Sequence, residues 1–253
     1  IFSYSIYGIY IMLGQNFQVC LSVLVINFKE IMKTINKSTE KSLINEFILH
    51  FEKDALRKKR ENKRFSFVLT GGNSPINLYK SLTKAKVDWS NIDLFWGDER
   101  YVSQKSKNSN YKLANDNLIK KIRINKKNLF PISNINKTIS ESSKDYSKQI
   151  KKYFKNRTIS FDYFLLGMGE DGHIASIFPN TDELNKKFIS MPIIRDDFKR
   201  ISLGLNIINN STKIILWLNN KSISKKYDQL KPLGKKIPVN NLDKRKILIL
   251  KIN

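Results

Sequence analysis

The sequence predicts an α/β protein, a doubly wound, mostly parallel Rossmann-like sheet with helices on both faces, in a single domain. Three observations predict it. Short apolar runs with the length of buried strands recur along the chain, as in FSFVLT, IDLFW and KILILKI. Stretches with helical periodicity separate them, which implies right-handed crossovers between parallel strands. Glycine and acid clusters follow the strand-like runs, at the carboxyl ends where open α/β sheets bind ligands.

The 253 residues suffice for one large domain with a sizeable core, and no Pro/Gly/Ser linker divides them. The lone Cys20 excludes an internal disulfide framework, and no Cys/His cluster has metal spacing, so no metal is expected. The 46 Lys and Arg against 22 Asp and Glu give a formal charge of +24. The lysines are scattered among Asn and Ile rather than gathered in a basic motif. Compositional drift explains that pattern, so the reading is no specific nucleic acid, with the charge attracting anionic small molecules.

Ile1 to Phe28 is apolar and uncharged but broken by Gly8, Gly14 and Gln15, and fits neither a signal peptide nor a clean membrane span. Ile1 to Ile31 is read as an extension outside the domain, with membrane anchoring as the alternative, and residues 32–253 as the domain. From Ser38 to about Arg57, Leu43, Phe47, Phe51 and Ala55 recur every fourth residue and predict a core-facing helix. His50 lies off that stripe and reads as an ordinary surface histidine.

Phe65 to Thr70 is the first expected strand. Gly71, Gly72, Asn73 and Ser74 follow, with Ser74 as N-cap and Pro75 as first residue of the helix carrying Leu78, Tyr79 and Leu82. Glycines between a strand and a helix start let backbone N–H groups approach an anion, so Gly71 to Ser74 is either a phosphate cradle or a plain strand–helix turn. Ile92 to Trp96 ends in Gly97, Asp98, Glu99 and Arg100, which serve a polar site or form a solvated ion-pair cluster. A helix is expected over Ser109 to Arg123, and Thr138 with Glu141 forms a capping box opening another.

Phe161 to Pro179, FDYFLLGMGEDGHIASIFP, is the most punctuated stretch of the chain. A buried strand runs into the Gly167 and Gly169 turn, which delivers Asp171, Gly172 and His173 to a strand's carboxyl end. The chain holds two histidines, and an acid two residues before this one can orient its ring and fix its tautomer. Arg200 to Asn206 and Lys213 to Leu218 read as strands, Ser222 to Leu230 as a short helix, and Lys246 to Ile252 as the closing strand.

Several of these stretches together resemble one family. LTGGNSPINLY is similar to the SGGSTPxxLY segment of 6-phosphogluconolactonases, WGDERYV with SNYKLA to their DERxVP and SN segments, and LGMGEDGHIASIFP to their GMGxDGHTASLFP signature. RISLGLNIIN resembles their RITLTLxxIN strand. Order and spacing agree from Met32 nearly to Asn253. Glucosamine-6-phosphate deaminases of the same superfamily share the turn, but place a glutamate soon after it, where this chain reads Ser176, Ile177 and Phe178.

The resemblance implies hydrolysis of 6-phosphoglucono-δ-lactone to 6-phosphogluconate in the oxidative pentose phosphate pathway, with no redox cofactor and no obligatory metal. It implies His173 as general base, Asp171 as its orienting acid, and backbone N–H groups of the Gly167 to Gly172 turn, including those of Gly169 and Gly172, at the oxyanion, the alternative being a purely conformational turn whose glycines supply positive φ. The Gly71 to Ser74 cradle, with Asp98 beside it, is then the phosphate-binding part, joined by Arg100 and Arg200, whose paired donors match phosphate. Lys221 is the further cation, although LWLNNKS lacks the glycine that precedes this lysine in the superfamily. The expected partner is a sugar phosphate lactone, and the expected protein a cytoplasmic monomer or weak homodimer. A deaminase-like isomerase and a non-enzymatic sugar-phosphate sensor are the alternatives.

Overall fold

The computed structural model describes residues 33–133, 137–155 and 157–253. The expected extension, Ile1 to Ile31, lies outside the described residues.

Seven strands form one sheet in which every pairing is parallel: β1 (Lys33–Lys37), β2 (Phe65–Leu69), β3 (Ile92–Trp96), β5 (Leu129–Phe130), β6 (Tyr163–Leu166), β9 (Lys213–Leu218) and β10 (Ile247–Ile252). Their order is β1-β10-β9-β6-β2-β3-β5. The chain winds outward from β2 through β3 to β5, then returns to β6 and winds the other way. The reversal falls between β2 and β6, so the loops after these two strands open beside each other at a topological switch point.

The helices between strands are α1 (Glu40–Arg60), α2 (Ile76–Leu82), α3 (Asn110–Asn117), α4 (Ile139–Tyr153), α5 (Leu205–Asn210) and α6 (Lys221–Leu230). On one face of the sheet, Phe47 and Phe51 of α1 pack against Phe67 and Tyr163, with ring centroids 5.1 to 6.3 Å apart. The four-residue spacing of the expected stripe produces this contact, and each such ring contributes about 1.5–3 kcal/mol by leaving water. On the other face Phe95 stacks on Phe130, while Tyr153 at the end of α4 meets both edge-on. The capping box read at Thr138 and Glu141 forms in full and starts α4.

Three departures from the expected elements bear on the site. The strand expected over Arg200 to Asn206 ends at Leu203, with Leu205 and Asn206 opening α5, and as β8 (Lys199–Leu203) it pairs antiparallel with β4 (Asp98–Arg100) and β7 (Ser190–Ile194) in a separate three-stranded sheet. Ser74 does not cap α2: its hydroxyl makes no cap bond, Pro75 is the boundary residue, and the Ser74 carbonyl accepts from Trp217 Nε1 and Asn219 Nδ2 instead. The helix expected from Ser109 to Arg123 ends at Asn117, then tightens into a 3₁₀ turn at Ile119–Lys121. His50 lies off the stripe of α1 as read, half-buried beside Glu46, and burial pushes its pKa down.

Candidate active site

Three segments meet above the switch point. The loop after β2 brings Gly71 to Ser74, β4 brings Asp98 and Arg100, and the loop after β6 brings Gly167 to Gly169, His173 and Ala175. With Thr70 and Asn110 they line a cavity of 230 Å³. A neighbouring cavity of 560 Å³ shares Ser74 and Met168 with it and is lined further by Asn219, Asn220, Lys225 and Lys226.

Local bonds shape the loop after β6. Gly169 N donates to the His173 carbonyl and Gly172 N to the Gly169 carbonyl, at 3.0 and 2.9 Å. Gly172 takes φ +85°, and a Cβ there would come within 2.4 Å of Ile237, so only glycine fits. His173 Nδ1 lies 2.7 Å from Asp171 Oδ1, which also accepts from the His173 backbone N–H. A carboxylate at Nδ1 is an acceptor, so Nδ1 carries the proton and the Nε2 lone pair remains available as a base.

Asp98 joins the segments beneath the cavity. Its Oδ2 accepts from Ser176 Oγ at 2.6 Å, and its Oδ1 accepts from Asn110 Nδ2 at 3.2 Å. Both oxygens of this acid are therefore engaged. Glu99 points away from the cavity and receives the backbone N–H groups of Arg100, Asn110 and Tyr111 and the Ser109 hydroxyl. Burial pushes its carboxyl up to about 7 against the pull of those four donors. In the loop after β2, the backbone N–H groups of Gly72, Asn73 and Ser74 find no acceptor among the described residues. Gly72 and Ser74 are half-buried and Asn73 is exposed, and successive N–H groups without acceptors are what an anion needs.

Besides Asp171, which reaches the site through His173, three expected site residues lie outside this cavity's lining. Gly172 faces Ile237, Leu230 and Val239, and its N–H is donated to the Gly169 carbonyl. Arg200 is outside the cavity lining, with Nη1 donating to Asp197 Oδ1 at 2.7 Å and its guanidinium over the Phe178 and Phe198 rings. The hairpin of β7 and β8 supplies that carboxylate, and the sequence alone gave no sign of the hairpin. Lys221 lines a different cavity, with Lys225, Asp228 and Lys251. Lys225 and Lys226, one turn on, reach the cavity beside Ser74. Their position one turn after Asn220, the N-cap of α6, was the available signal. Among the described residues, no three His, Cys, Asp or Glu side chains gather as a metal ion would require.

The sequence matches the family model of glucosamine-6-phosphate isomerases/6-phosphogluconolactonase over residues 38–247. The chain belongs to this family. Among relatives, a probable 6-phosphogluconolactonase of Dictyostelium discoideum is 30% identical over 210 residues, covering 78% of this chain and 87% of that protein. Probable 6-phosphogluconolactonase 1 of Arabidopsis thaliana is 36% identical over 184 residues, covering 64% of this chain and 66% of that protein. Of solved structures, a 6-phosphogluconolactonase from Thermotoga maritima superposes with a TM-score of 0.74 at 23% identity, covering 88% of this chain and 98% of that one. A monomeric glucosamine-6-phosphate deaminase superposes with 0.75 at 19%, covering 88% and 98%. The two branches of the family therefore share the fold, and only the site can distinguish them. No helix among the described residues is long and apolar enough to cross a membrane.

Proposed function

We propose that this family member hydrolyses 6-phosphoglucono-δ-lactone to 6-phosphogluconate. The observation that carries the reading is the state of the two titratable side chains that line the cavity as base and acid. His173 has Nδ1 held by Asp171 and Nε2 available, whereas Asp98 has both oxygens engaged by Ser176 and Asn110. Lactone opening needs one base that can take a proton and return it. Moving a proton between neighbouring carbons of an amino sugar calls for a further acid, and this chain has Ser176, Ile177 and Phe178 where the deaminases place a glutamate.

In the reaction, His173 Nε2 removes a proton from a water molecule as its oxygen attacks the C1 carbonyl. The N–H groups of Gly167, Gly169 and Gly172 are already donated to Thr70 Oγ1 and within the turn, so the tetrahedral oxyanion is stabilised by the remaining donor that the turn brings to the cavity, the Met168 N–H. The C1–ring oxygen bond then breaks, and the proton held by the imidazolium passes to the departing oxygen, so one water is consumed and no other group is transferred. The 6-phosphate binds to the N–H groups of Gly72, Asn73 and Ser74, with Arg100 on one side and Lys225 and Lys226 on the other. Arg100 is held by a bond to the Asn108 carbonyl, leaving other guanidinium donors for the anion.

The test is decay of the lactone, generated in the cuvette, followed with the wild-type protein and a His173→Ala variant at equal concentration. Acceleration above spontaneous hydrolysis, lost in the variant, is the expected result. A folded wild-type protein that gives no acceleration, but releases ammonia from glucosamine 6-phosphate, would overturn it in favour of the other branch.

A further inference from the structure

The imidazole of His173 sits in a slot whose walls are not its hydrogen-bond partner. A Cβ placed on Gly169 would fall 2.1 Å from Cε1, 2.2 Å from Nδ1 and 2.9 Å from Nε2 of the ring. Three ring atoms within that range put the ring directly against the Gly169 Cα. Gly169 does not have a positive φ, so the absence of a side chain, rather than backbone freedom, is what the position uses. The Phe178 ring packs on the imidazole at 4.6 Å between centroids, tilted by 39°. Phe178 is in turn held by two cations: the Arg195 guanidinium 4.6 Å and the Arg200 guanidinium 5.6 Å from its centroid. Asp197 fixes Arg200 by a bidentate pair. A cation over an aromatic face is attracted to it, so the β7–β8 hairpin anchors the ring that bounds the histidine.

We propose that Phe178 and Gly169 are positioning residues for His173, and that Arg195 and Arg200 act through Phe178 rather than on substrate. The inference rests on the reading of His173 as general base. The bond to Asp171, whose carboxylate is half exposed to water, does not by itself keep the imidazole from swinging away about Cβ–Cγ, and a ring that leaves this bond loses both its orientation and its fixed tautomer. Walls at Gly169 and Phe178 remove the swing and hold Nε2 toward the cavity. A misplacement of about 1 Å in a reacting group can cost about 10²-fold in rate.

Three variants test this: Phe178→Leu keeps bulk and apolarity but removes the flat face, Phe178→Tyr keeps the face, and Gly169→Ala places a methyl on the ring. Phe178→Leu is expected to lower kcat by about 10- to 100-fold with KM within about twofold. Phe178→Tyr is expected to restore kcat to within about threefold of wild type. Long-range proton–nitrogen NMR spectra give a second readout, since only His50 and His173 contribute. Wild type should show His173 as the single Nδ1–H tautomer and Phe178→Leu a mixture, with His50 unchanged as the control for folding. If Phe178→Leu does not fold, Gly169→Ala carries the test, with the same loss in kcat and the same tautomer mixture expected. Wild-type kcat in Phe178→Leu or Gly169→Ala, a loss expressed in KM alone, or a Phe178→Tyr variant as impaired as Phe178→Leu would each overturn the proposal. The tautomer measurement needs no substrate, so it judges the slot even if the lactone proves not to be the substrate.

Discussion

Acids and their partners are distributed differently at the two ends of the main sheet. At the amino ends of the strands, donors converge on buried carboxylates. Asp162 accepts from Ser66 N, Ser66 Oγ and Lys58 Nζ, Asp93 from Arg64 and Tyr153, and Asp54 from Tyr163 and Lys213. At the carboxyl ends the balance is reversed: Gly72, Asn73 and Ser74 present N–H groups with no acceptor among the described residues, and His173 presents a nitrogen lone pair to a cavity. One end is electrostatically closed and holds the strands together; the other is held open for a ligand. Changes at the two ends should therefore affect different observables.

The largest effect is expected at the open end. His173→Ala should reduce lactone hydrolysis by about 10²- to 10⁴-fold, the usual contribution of a positioned base, while leaving the melting temperature within about 2 °C. A large loss of stability in that variant would mean the open end is structural after all. The closed end should respond in the opposite sense. Asp162→Ala removes the acceptor from Ser66 and Lys58, and breaking a buried pair from one side costs about 3–5 kcal/mol, a fall of about 10 °C in Tm for a chain of this size. Its kcat at 25 °C, per folded molecule, should equal that of wild type. Reduced kcat with unchanged Tm would erase the distinction between the ends.

Glu99 sharpens the comparison, because it is a closed carboxylate at the open end. Burial holds its folded pKa at about 7, above the ordinary glutamate value of 4.5. The unfolded chain therefore releases this proton at lower pH than the folded one. The contribution to stability is fully present below about pH 4.5 and is lost as pH rises to about 7, by up to about 3 kcal/mol. Denaturation at pH 5 and pH 7.5 should show that decline in wild type and a flatter profile in Glu99→Gln. An equal decline in both proteins would assign it to other groups.

Much of this architecture was legible from residue order because burial leaves a periodic trace. The stripe of Leu43, Phe47, Phe51 and Ala55, the apolar runs of β2, β3, β6 and β10, and the Thr138 capping box all formed as read. The pairing of Asp171 with His173 was legible too, since two residues apart in a tight turn is within reach of one bond. Partner choice left no such trace. RISL reads like any buried strand, yet β8 pairs antiparallel with β4 and β7, and β7 carries Pro192, which obscures it as a strand. That hairpin places Asp197 on Arg200 and so withdraws an expected phosphate ligand. The phase of a helix is equally invisible until its first residue and crossing direction are fixed, and one turn of α6 exchanged Lys221 for Lys225.

That exchange supports the smallest of the predicted effects. Lys221 and Lys225 are the same residue type, four positions apart on one helix, and both are in contact with solvent. Lys225 lines both the cavity that shares Ser74 with the His173 site and the cavity of Asp228 and Lys251, whereas Lys221 lines the second alone. An exposed ammonium near a bound phosphate contributes about 1 kcal/mol, screened by salt. Lys225→Ala should therefore raise KM about fivefold at low ionic strength, with kcat unchanged and the difference shrinking as salt is added. Lys221→Ala should leave both constants at the wild-type value, because Lys221 is absent from the lining of both cavities that contain Ser74. Equal effects from the two lysines would mean that general positive charge, not position, draws the phosphate in. An effect from Lys221 alone would place the anion on the β10 side of α6 and move the cradle away from Ser74.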